Sequence, residues 1–492
     1  MSDSPSLKLQ TARTLKWNLI DKIAAQVLYA VTGIILAREL NQEAFGLVGA
    51  ILVFQAFASL LVDSGFSYAL LQKKSPTRLD YSSVLWFNIG ISIILYIILF
   101  LCARFIADLF GADSRLVPLS RVMFLSFIIN GATIVQTNRF MKKMNVRPIA
   151  VANFVGLSAG AVVGIWMAFT GFEAWAIVCQ TLTIALMKGL VLWIWSGWLP
   201  LLSFSWLSLR SFFKIGGSMM FTSFLNTLFL NIYSFFVGNR VGLVALGYYT
   251  QSDKWSKMGI SSMSQVFTST FIPVLSKVQD DSVRFERLCY KMNRLTAYLV
   301  FPIFIGLIVE ARPIFHVLFG SKWDPSIILF QLLLIRGIFT VFTSLYTNYL
   351  LALGHASTIA RLEVWRDLVA IAGLVATFPV MAVSLPDNPV WGVSVMLYGQ
   401  IAAAVVAWVL TVYYVKRKCN ISASIILKNY IPYMLMSCFI GAICILTGLF
   451  LNNDWLELII ESIIGIAFYV SINYIANSTI QKDAFSYLRG KM

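Results

Sequence analysis

Two cations surrounded by apolar residues are the side chains whose chemistry most needs an explanation. Lys188 lies in the run LTIALMKGLVLWIW, and Arg336 lies in the run QLLLIRGIFT. At about 1.5 Å per helical residue, each lies roughly 15 Å from one end of its run, near the middle of about 30 Å of hydrocarbon. An ionisable group at that depth is costly, and a cation there attracts a phosphate-bearing substrate.

Two roles remain open for Lys188 and Arg336. Either side chain can face a wet cavity between two halves of the protein, or it can pair with a polar group on a neighbouring helix and hold the bundle together. Exposure to lipid is the least favourable arrangement, because even these long side chains strain to reach the headgroups from that depth. We expect both cations to line a central cationic cavity that binds substrate.

Four further cations near the ends of apolar runs are secondary candidates for substrate binding. Lys22 and Arg366 lie next to aspartates and within reach of the cytoplasmic interface, where anchoring in the headgroups is the alternative role. Lys254 and Lys257 open the eighth run near the outer surface, where they are candidates for lining an outer vestibule.

The composition defines the class of protein that must position these cations. Hydrophobic residues make up 59% of the 492 residues and charged residues only 12%, whereas soluble domains are about one-quarter charged. The net charge of +16 would suggest nucleic acid in a soluble chain, but the basic residues fall in loops between apolar runs, as membrane orientation signals do. The sequence therefore predicts an all-α polytopic membrane protein that binds no nucleic acid.

Apolar runs of spanning length follow one another along the whole chain. They lie near residues 17–37, 44–62, 82–107, 116–138, 149–169, 172–197, 212–237, 255–276, 295–319, 327–352, 363–383, 390–415, 429–450 and 456–476. Each is long enough for one membrane-spanning helix, so about fourteen transmembrane helices are predicted. Lysine and arginine recur mainly in every second connection, which predicts that both termini face the cytoplasm.

Similar segments recur at a spacing of about 200 to 216 residues, which indicates an internal repeat. Residues 37–48 align with 238–249, so that Gly46 falls on Gly247. Further matches keep the same order along the chain: Gly111 with Gly320, Asn138 with Asn348, and Trp175 with Trp391.

The repeat predicts two homologous six-helix bundles, followed by two extra helices. The predicted parts are an N-terminal half at 1–205, a C-terminal half at 206–418, and the two C-terminal helices with a cytoplasmic tail at 419–492. Because six is an even number, the halves share one orientation in the membrane. Parallel repeats of this kind are a known transporter design, with the substrate site between the halves.

Sequence signatures of enzymes are missing. There is no GxxxxGK[ST] phosphate loop, no GxSxG motif, and no HExxH pattern around the two histidines, His316 and His355. The six cysteines are scattered without a CxxC pair and are interpreted as small buried hydrophobic residues. We therefore expect no cofactor, no bound metal and no enzymatic activity.

The stretch LLVDSGFSYALLQKK at residues 60–74 contains one carboxylate, Asp63, at the end of an apolar run. At about 1.5 Å per residue, Asp63 lies roughly 29 Å along the second helix, which places it at the cytoplasmic surface. We expect it to shape a bend, with Gly65 at the break, before a short interfacial segment. Proton handling is the alternative role for Asp63.

Several segments together resemble a known family. LVDSGFSYALLQKK, LDYSSVLWFNIG, the two helix ends in LFG, and LGYYTQSDKWSKM through FIPVLSKVQDD are similar to the polysaccharide transporter branch of the multidrug/oligosaccharidyl-lipid/polysaccharide exporter superfamily. Within it, the chain resembles the Wzx-like flippases of lipid-linked oligosaccharides, of the colanic acid exporter type. The resemblance covers roughly residues 10 to 420.

The resemblance implies a multi-pass protein of the bacterial inner membrane. Such proteins move undecaprenyl-pyrophosphate-linked oligosaccharide repeat units from the cytoplasmic to the periplasmic leaflet by alternating access, for exopolysaccharide, capsule or O-antigen synthesis. The implied partners are the lipid-linked oligosaccharide, membrane lipids, a polysaccharide polymerase and a chain-length regulator. Related lipid II flippases carry an Arg-Asp pair where this chain has Thr32-Gly33, which argues against lipid II as substrate.

Two other functions stay open at the level of sequence. A cation-coupled multidrug exporter of the same superfamily would favour acidic residues in its cavity, and no clear carboxylate is visible at mid-membrane depth. A membrane-embedded glycan-modifying enzyme would need a catalytic acid, base or metal cluster, and none is visible. The glycan carried, the coupling ion and the oligomeric state do not follow from the sequence.

Overall fold

The computed structural model describes residues 5–63, 66–381, 388–419, 421–451, 453–476, 478 and 480–482. Nearly all of this part of the chain is helical, and it contains no β-strand. The predicted all-α class is therefore confirmed.

The described residues form seventeen α-helices and one short 3-10 helix. They are α1 (Pro5–Glu39), α2 (Gln42–Asp63), α3 (Phe66–Gln72), α4 (Arg78–Leu109), α5 (Leu116–Met123), α6 (Leu125–Lys142), α7 (Arg147–Phe169), α8 (Ala174–Ser196), α9 (Trp206–Arg240), α10 (Leu243–Ser276), α11 (Ser282–Val309), α12 (Ala311–Phe319), the 3-10 helix (Ser321–Trp323), α13 (Asp324–Ala352), α14 (Ala356–Met381), α15 (Trp391–Cys419), α16 (Ala423–Gly448) and α17 (Asp454–Ile475).

Each of the fourteen predicted apolar runs overlaps a helix. Two of the runs are divided, one into α5 and α6 and the other into α11 and α12. Twelve helical segments of the described chain are long and apolar enough to cross a membrane. α9 and α10 are not among the twelve, but at 35 and 34 residues they are also long enough to cross. The count of fourteen spans and the cytoplasmic termini remain predictions.

The chain forms two compact units, Met1–Gly247 and Tyr248–Met492. In the first unit, α9 packs against α2, α3 and α4. In the second unit, α15 packs against α13 and α14, and α16 packs against α11. A boundary between compact units is not a boundary between repeats, so the halves at 1–205 and 206–418 stay a prediction.

Helices α7 and α8 approach each other closely because α7 presents a stripe of glycines. Gly156, Gly160 and Gly164 recur every four residues and therefore lie on one face of α7. A methyl group added at Gly160 would lie 3.0 Å from the carbonyl oxygen of Gln180, and one at Gly156 would lie 2.9 Å from that of Ile184. Small residues at this spacing let two membrane helices pack backbone against backbone.

A second close approach joins the start of α2 to the start of α10, within the first unit. A side-chain carbon added at Gly46 would collide with the carbonyl oxygen of Leu243, and one added at Gly247 would collide with that of Gln42. The two contacts are reciprocal, since each glycine faces the backbone at the start of the other helix. Gly46 and Gly247 are also the glycines that the predicted repeat aligns. The repeat itself remains a prediction.

One side-chain hydrogen bond occurs in both units at positions that the repeat aligns. In the first unit, Asn138 Nδ2 donates to Ser67 Oγ at 2.8 Å. In the second, Asn348 Nδ2 donates to Thr268 Oγ1 at 3.1 Å. The two bonds therefore join corresponding positions of the predicted repeat.

The expected bend after α2 falls at residues that the structure does not describe. α2 ends at Asp63 and the short helix α3 begins at Phe66. Gly65, the expected break, and the side chain of Asp63 lie outside the described residues. α4 then begins at a capping box, in which Asp80 N donates to Thr77 Oγ1 at 3.1 Å and Thr77 N donates to Asp80 Oδ2 at 2.7 Å.

The packing of the glycine stripe of α7 is tested by two glycine-to-alanine substitutions that are expected to change the free energy of unfolding in opposite directions. Gly160→Ala places a methyl group against Gln180 and Ile184 and is expected to lower the free energy of unfolding by about 1 to 3 kcal/mol. The matched control is Gly90→Ala on α4, where an added methyl group meets no atom within 4 Å. That control is expected to raise stability by up to about 1 kcal/mol, because alanine favours a helix over glycine. Unfolding of the purified protein in detergent measures both, and equal effects would contradict the packing described.

Candidate functional site

Lys188 is placed by the contact between α7 and α8. Its Cβ would lie 3.2 Å from a methyl group added at Gly156, so the backbone of α7 passes directly beside the stem of the lysine. The side chain is half-buried. Close packing on this side directs the rest of the side chain away from α7.

Lys188 lines a cavity of about 310 Å³ within the first unit. The other lining residues come from α2, α3 and α6, and most of them carry a hydroxyl or amide group. They are Ser59, Val62, Ser67, Phe127, Asn130, Thr133, Ile134, Thr137 and Asn138. Of the described residues that line the cavity, Lys188 alone carries a charge.

The ammonium group of Lys188 has no hydrogen-bond or ion-pair partner among the described residues. Asp21 on α1 attracts it electrostatically. However, the Asp21 carboxylate accepts two hydrogen bonds from Asn153 Nδ2, at 3.1 and 3.0 Å. The N–H donors of Lys188 are therefore available to a ligand in the cavity. The negative charge of Asp21 offsets part of the positive charge of Lys188 without a direct bond.

The hydroxyl groups of α6 face the cavity mainly as acceptors. Thr133 Oγ1 donates to the carbonyl oxygen of Asn130 at 2.9 Å, and Thr137 Oγ1 donates to that of Thr133 at 3.3 Å. Their protons are thus used within the helix, while lone pairs on both oxygens remain for donors in the cavity. The site combines one cationic donor with several neutral acceptors.

Arg336 has a partner on a neighbouring helix. Its Nη1 donates to Oε1 of Gln400 on α15 at 2.6 Å, and Gln400 is buried. The Nε of Arg336 and the Nε2 of Gln400 are buried without a partner among the described residues. This geometry is the pairing alternative that the sequence left open for Arg336, and its role in substrate binding remains a prediction.

Lys254 and Lys257 lie close together on α10, and both are exposed. Lys257 Nζ pairs with Asp253 Oδ2 at 2.5 Å. Lys254 Nζ lies 5.5 Å from the centre of the Trp255 ring, at the range of a cation–π contact. Both contacts are made to residues of α10 itself, so neither of them joins α10 to another helix.

The other two secondary candidates, Lys22 and Arg366, lie on α1 and α14. Lys22 is exposed, and Arg366 Nη2 pairs with Glu363 Oε1 at 2.9 Å, one turn away on the same helix. Lys22 belongs to the same compact unit as Lys188, whereas Arg366 belongs to the same unit as Arg336. Substrate contact by the secondary candidates remains a prediction.

Sequence reasoning found the cations but missed the groups around them. The cavity wall on α6 was detectable, because Asn130, Thr133 and Thr137 recur at a spacing of three and four residues and so share one face. The partner of Arg336 was not detectable, because Gln400 is 64 residues away along the chain.

The pairing of Arg336 gives a graded stability test. Gln400→Leu removes the acceptor and leaves a partly buried guanidinium without this partner, which is expected to lower the free energy of unfolding by about 1.5 to 3 kcal/mol. The control is Gln331→Leu, which removes a neutral hydrogen bond of 2.9 Å to the carbonyl oxygen of Ile308 and is expected to cost about 1 kcal/mol. The two variants are compared by unfolding of the purified proteins in detergent. If Gln400→Leu costs no more than the control, the bond to Arg336 does not stabilise the bundle.

Comparisons with known proteins address the chain as a whole. The model of a family described as "Polysaccharide biosynthesis protein" matches residues 35–328. The succinoglycan biosynthesis transport protein ExoT of Rhizobium meliloti is 26% identical over 79% of this chain and 78% of its own length. The lipopolysaccharide biosynthesis protein WzxC of Escherichia coli is 23% identical over 75% of each chain.

Solved structures share the fold. The lipid II flippase MurJ, in an inward closed conformation, superposes with a TM-score of 0.71 at 17% identity over 93% of this chain and 98% of its own. An inward-facing multidrug resistance transporter of the MATE family and MOP superfamily gives a TM-score of 0.61 at 17% identity over 82% of this chain and 99% of its own. These identities are low, so the likeness concerns the fold alone.

The comparisons confirm the resemblance found in the sequence. The family match spans more than half of the chain, and the named relatives are proteins of polysaccharide biosynthesis and transport. The twelve candidate spans and the transporter fold agree with a location in the bacterial inner membrane. The chain therefore belongs to the polysaccharide biosynthesis protein family and is a multi-pass inner-membrane transporter.

Proposed function

We propose that the protein moves undecaprenyl-pyrophosphate-linked oligosaccharide repeat units from the cytoplasmic to the periplasmic leaflet by alternating access. The observation that carries this proposal is the ammonium group of Lys188, which has no partner among the described residues and lines a polar cavity. A lysine near the bilayer centre costs about 3 kcal/mol even by the lower insertion scales. An anionic substrate group that reaches it offsets this cost.

The chemistry of the cavity matches a pyrophosphate joined to a sugar. The ammonium group offers compact, charge-assisted donors to phosphate oxygens. Sugar hydroxyl groups donate hydrogen bonds, and the oxygens of Thr133 and Thr137 have free lone pairs to accept them. A volume of about 310 Å³ lies at the lower end for ligand sites, so the cavity suits the pyrophosphate and an adjoining sugar better than a whole repeat unit.

The printed names of the relatives agree with this substrate class, since succinoglycan and lipopolysaccharide are both saccharide polymers. A multidrug exporter for cationic compounds is less well supported, because the cavity beside Lys188 is lined by a cation and neutral polar groups rather than by a carboxylate. The MATE-like fold alone does not distinguish the two functions.

The proposal predicts a specific effect of the charge at position 188. In cells lacking the gene, Lys188→Gln is expected to restore surface polysaccharide poorly and to leave lipid-linked repeat units on the cytoplasmic side, whereas Lys188→Arg restores part of the export. Loss of one charged contact of about 1.5 to 3 kcal/mol corresponds to a weakening of roughly tenfold to a hundredfold in substrate affinity. Thermal stabilisation of the purified protein by inorganic pyrophosphate measures the binding step directly.

Lys143→Gln is the matched control, because Lys143 is exposed at the end of α6. It is expected to export normally and to keep the stabilisation by pyrophosphate. Normal export and unchanged pyrophosphate stabilisation in Lys188→Gln, at normal protein levels, would overturn the proposed role of this lysine.

A further inference from the structure

A second cavity, of about 470 Å³, lies in the second unit among α11, α16 and α17. Its walls are mostly apolar, with small residues such as Gly306 and Gly441 on two of the helices. Two carboxyl groups also line it, Glu310 at the junction of α11 and α12 and Glu461 on α17. The packing of these helices places two acidic side chains that are far apart in the sequence on the wall of one cavity.

Both carboxyl groups are withdrawn from solvent and line the same cavity. Glu310 is 7% exposed and Glu461 is 2% exposed. Each carboxyl group acts electrostatically on the other. An ionised carboxylate has only acceptors, so a hydrogen bond between two carboxyl groups requires that one of them carries a proton. Two negative charges in contact would repel each other strongly in these surroundings.

The polar atoms at this end of the cavity lack protein donors. In the described part of the chain, Glu310 Oε2 and Glu461 Oε1 have no hydrogen-bond partner. The Oγ of Ser437, which is 3% exposed and lines the same cavity, also has none there. Buried polar atoms are normally satisfied by protein or water. A water molecule bonded to these three atoms would give a proton a route to the pair.

The charged neighbours do not neutralise the pair. On α12, His316 is held between two carboxylates, with Nδ1 3.2 Å from Asp454 Oδ2 and Nε2 2.8 Å from Asp324 Oδ1. Arg312, also on α12, acts electrostatically on Glu457 of α17. Glu457 adds negative charge near the pair, which makes a second negative charge there still more costly.

The titratable groups on the other helices are neutral neighbours. Cys444 on α16 contacts the backbone of Glu461, with its Sγ 3.7 Å from the carbonyl oxygen. Tyr469 on α17 donates its hydroxyl to the carbonyl oxygen of Tyr298 on α11 at 2.8 Å. Among the described residues there is no group of three or more His, Cys, Asp or Glu side chains suited to a metal ion. A proton is therefore the ligand that this geometry favours.

We propose that Glu310 and Glu461 form a proton-binding site, in which the two carboxyl groups share one proton and so hold α17 against the junction of α11 and α12. Loss of the proton leaves two adjacent negative charges and weakens this contact. Glu461 lies about 10 Å along α17 from Asp454, at the end of the helix that the sequence predicts to face outward. The site would therefore exchange protons with the outer side. It is separate from the Lys188 cavity and does not depend on the proposed substrate.

Infrared spectroscopy of the full-length protein in lipid vesicles tests this site. A protonated carboxyl group has a carbonyl stretch that an ionised carboxylate lacks. The wild-type protein is expected to show this band at neutral pH and to lose it as the pH is raised. Glu310→Gln and Glu461→Gln should each remove the band, while Glu457→Gln, one turn away from Glu461, should keep it.

Thermal unfolding across the same pH range gives a second readout. Because the folded pair holds a proton that the unfolded chain releases at neutral pH, its contribution to stability is present at lower pH and is lost as pH rises. Glu461→Gln keeps a donor for Glu310 without a titrating group, so it should flatten this pH dependence.

Two results would overturn the site. One is a wild-type spectrum without a titrating carboxyl band, or a band that persists in both single variants. The other is a band abolished by sodium but not by potassium at constant pH, which would identify a sodium site instead.

If the variants fail to fold, chemical modification of the wild-type protein by a hydrophobic carbodiimide tests the site, because this reagent labels protonated carboxyl groups in apolar surroundings. Peptide mass spectrometry should then find the label on Glu310 or Glu461, and its absence from both would contradict the proposal.

Discussion

A charge at membrane depth must be paired, neutralised by a proton, or open to a polar cavity, because hydrocarbon supplies no hydrogen bonds. Three ionisable sites in the described helices meet the requirement in three different ways. Arg336 bonds to Gln400. Glu310 and Glu461 line one cavity, where we propose that they share a proton. Lys188 opens onto a polar cavity. The third arrangement leaves every donor of the ammonium group for a ligand, whereas Arg336 already donates to Gln400. The proposed substrate contact therefore rests on Lys188.

The position of Lys188 depends in turn on helix packing. The glycine stripe of α7 allows α8 to lie against it at backbone distance, and that contact fixes which face of α8 turns towards α2, α3 and α6. A bulkier residue in the stripe would move the lysine as well as destabilise the bundle. Packing by small residues therefore links the fold of the first unit to the chemistry of its cavity.

Hydropathy predicted the helices well, because spanning length and the absence of charge are local properties. All fourteen apolar runs overlap helices, although the divisions between α5 and α6 and between α11 and α12 were not foreseen. The site was predicted less completely. The cations stood out against apolar surroundings, but their environment depends on helices far away in sequence. Glu310 and Glu461 were missed for this reason, since each carboxylate becomes unusual only when α17 packs against α12.

The central claim is that this transporter carries a pyrophosphate-linked oligosaccharide lipid across the membrane. Reconstitution of the purified protein in vesicles with a fluorescent undecaprenyl-pyrophosphate-linked oligosaccharide tests it most directly, with a membrane-impermeant quencher added outside. The account predicts that label on the inner leaflet becomes accessible to the quencher with the wild-type protein and much more slowly with Lys188→Gln. Label that stays as protected as in protein-free vesicles, under conditions where the wild-type protein is folded and binds pyrophosphate, would contradict the account.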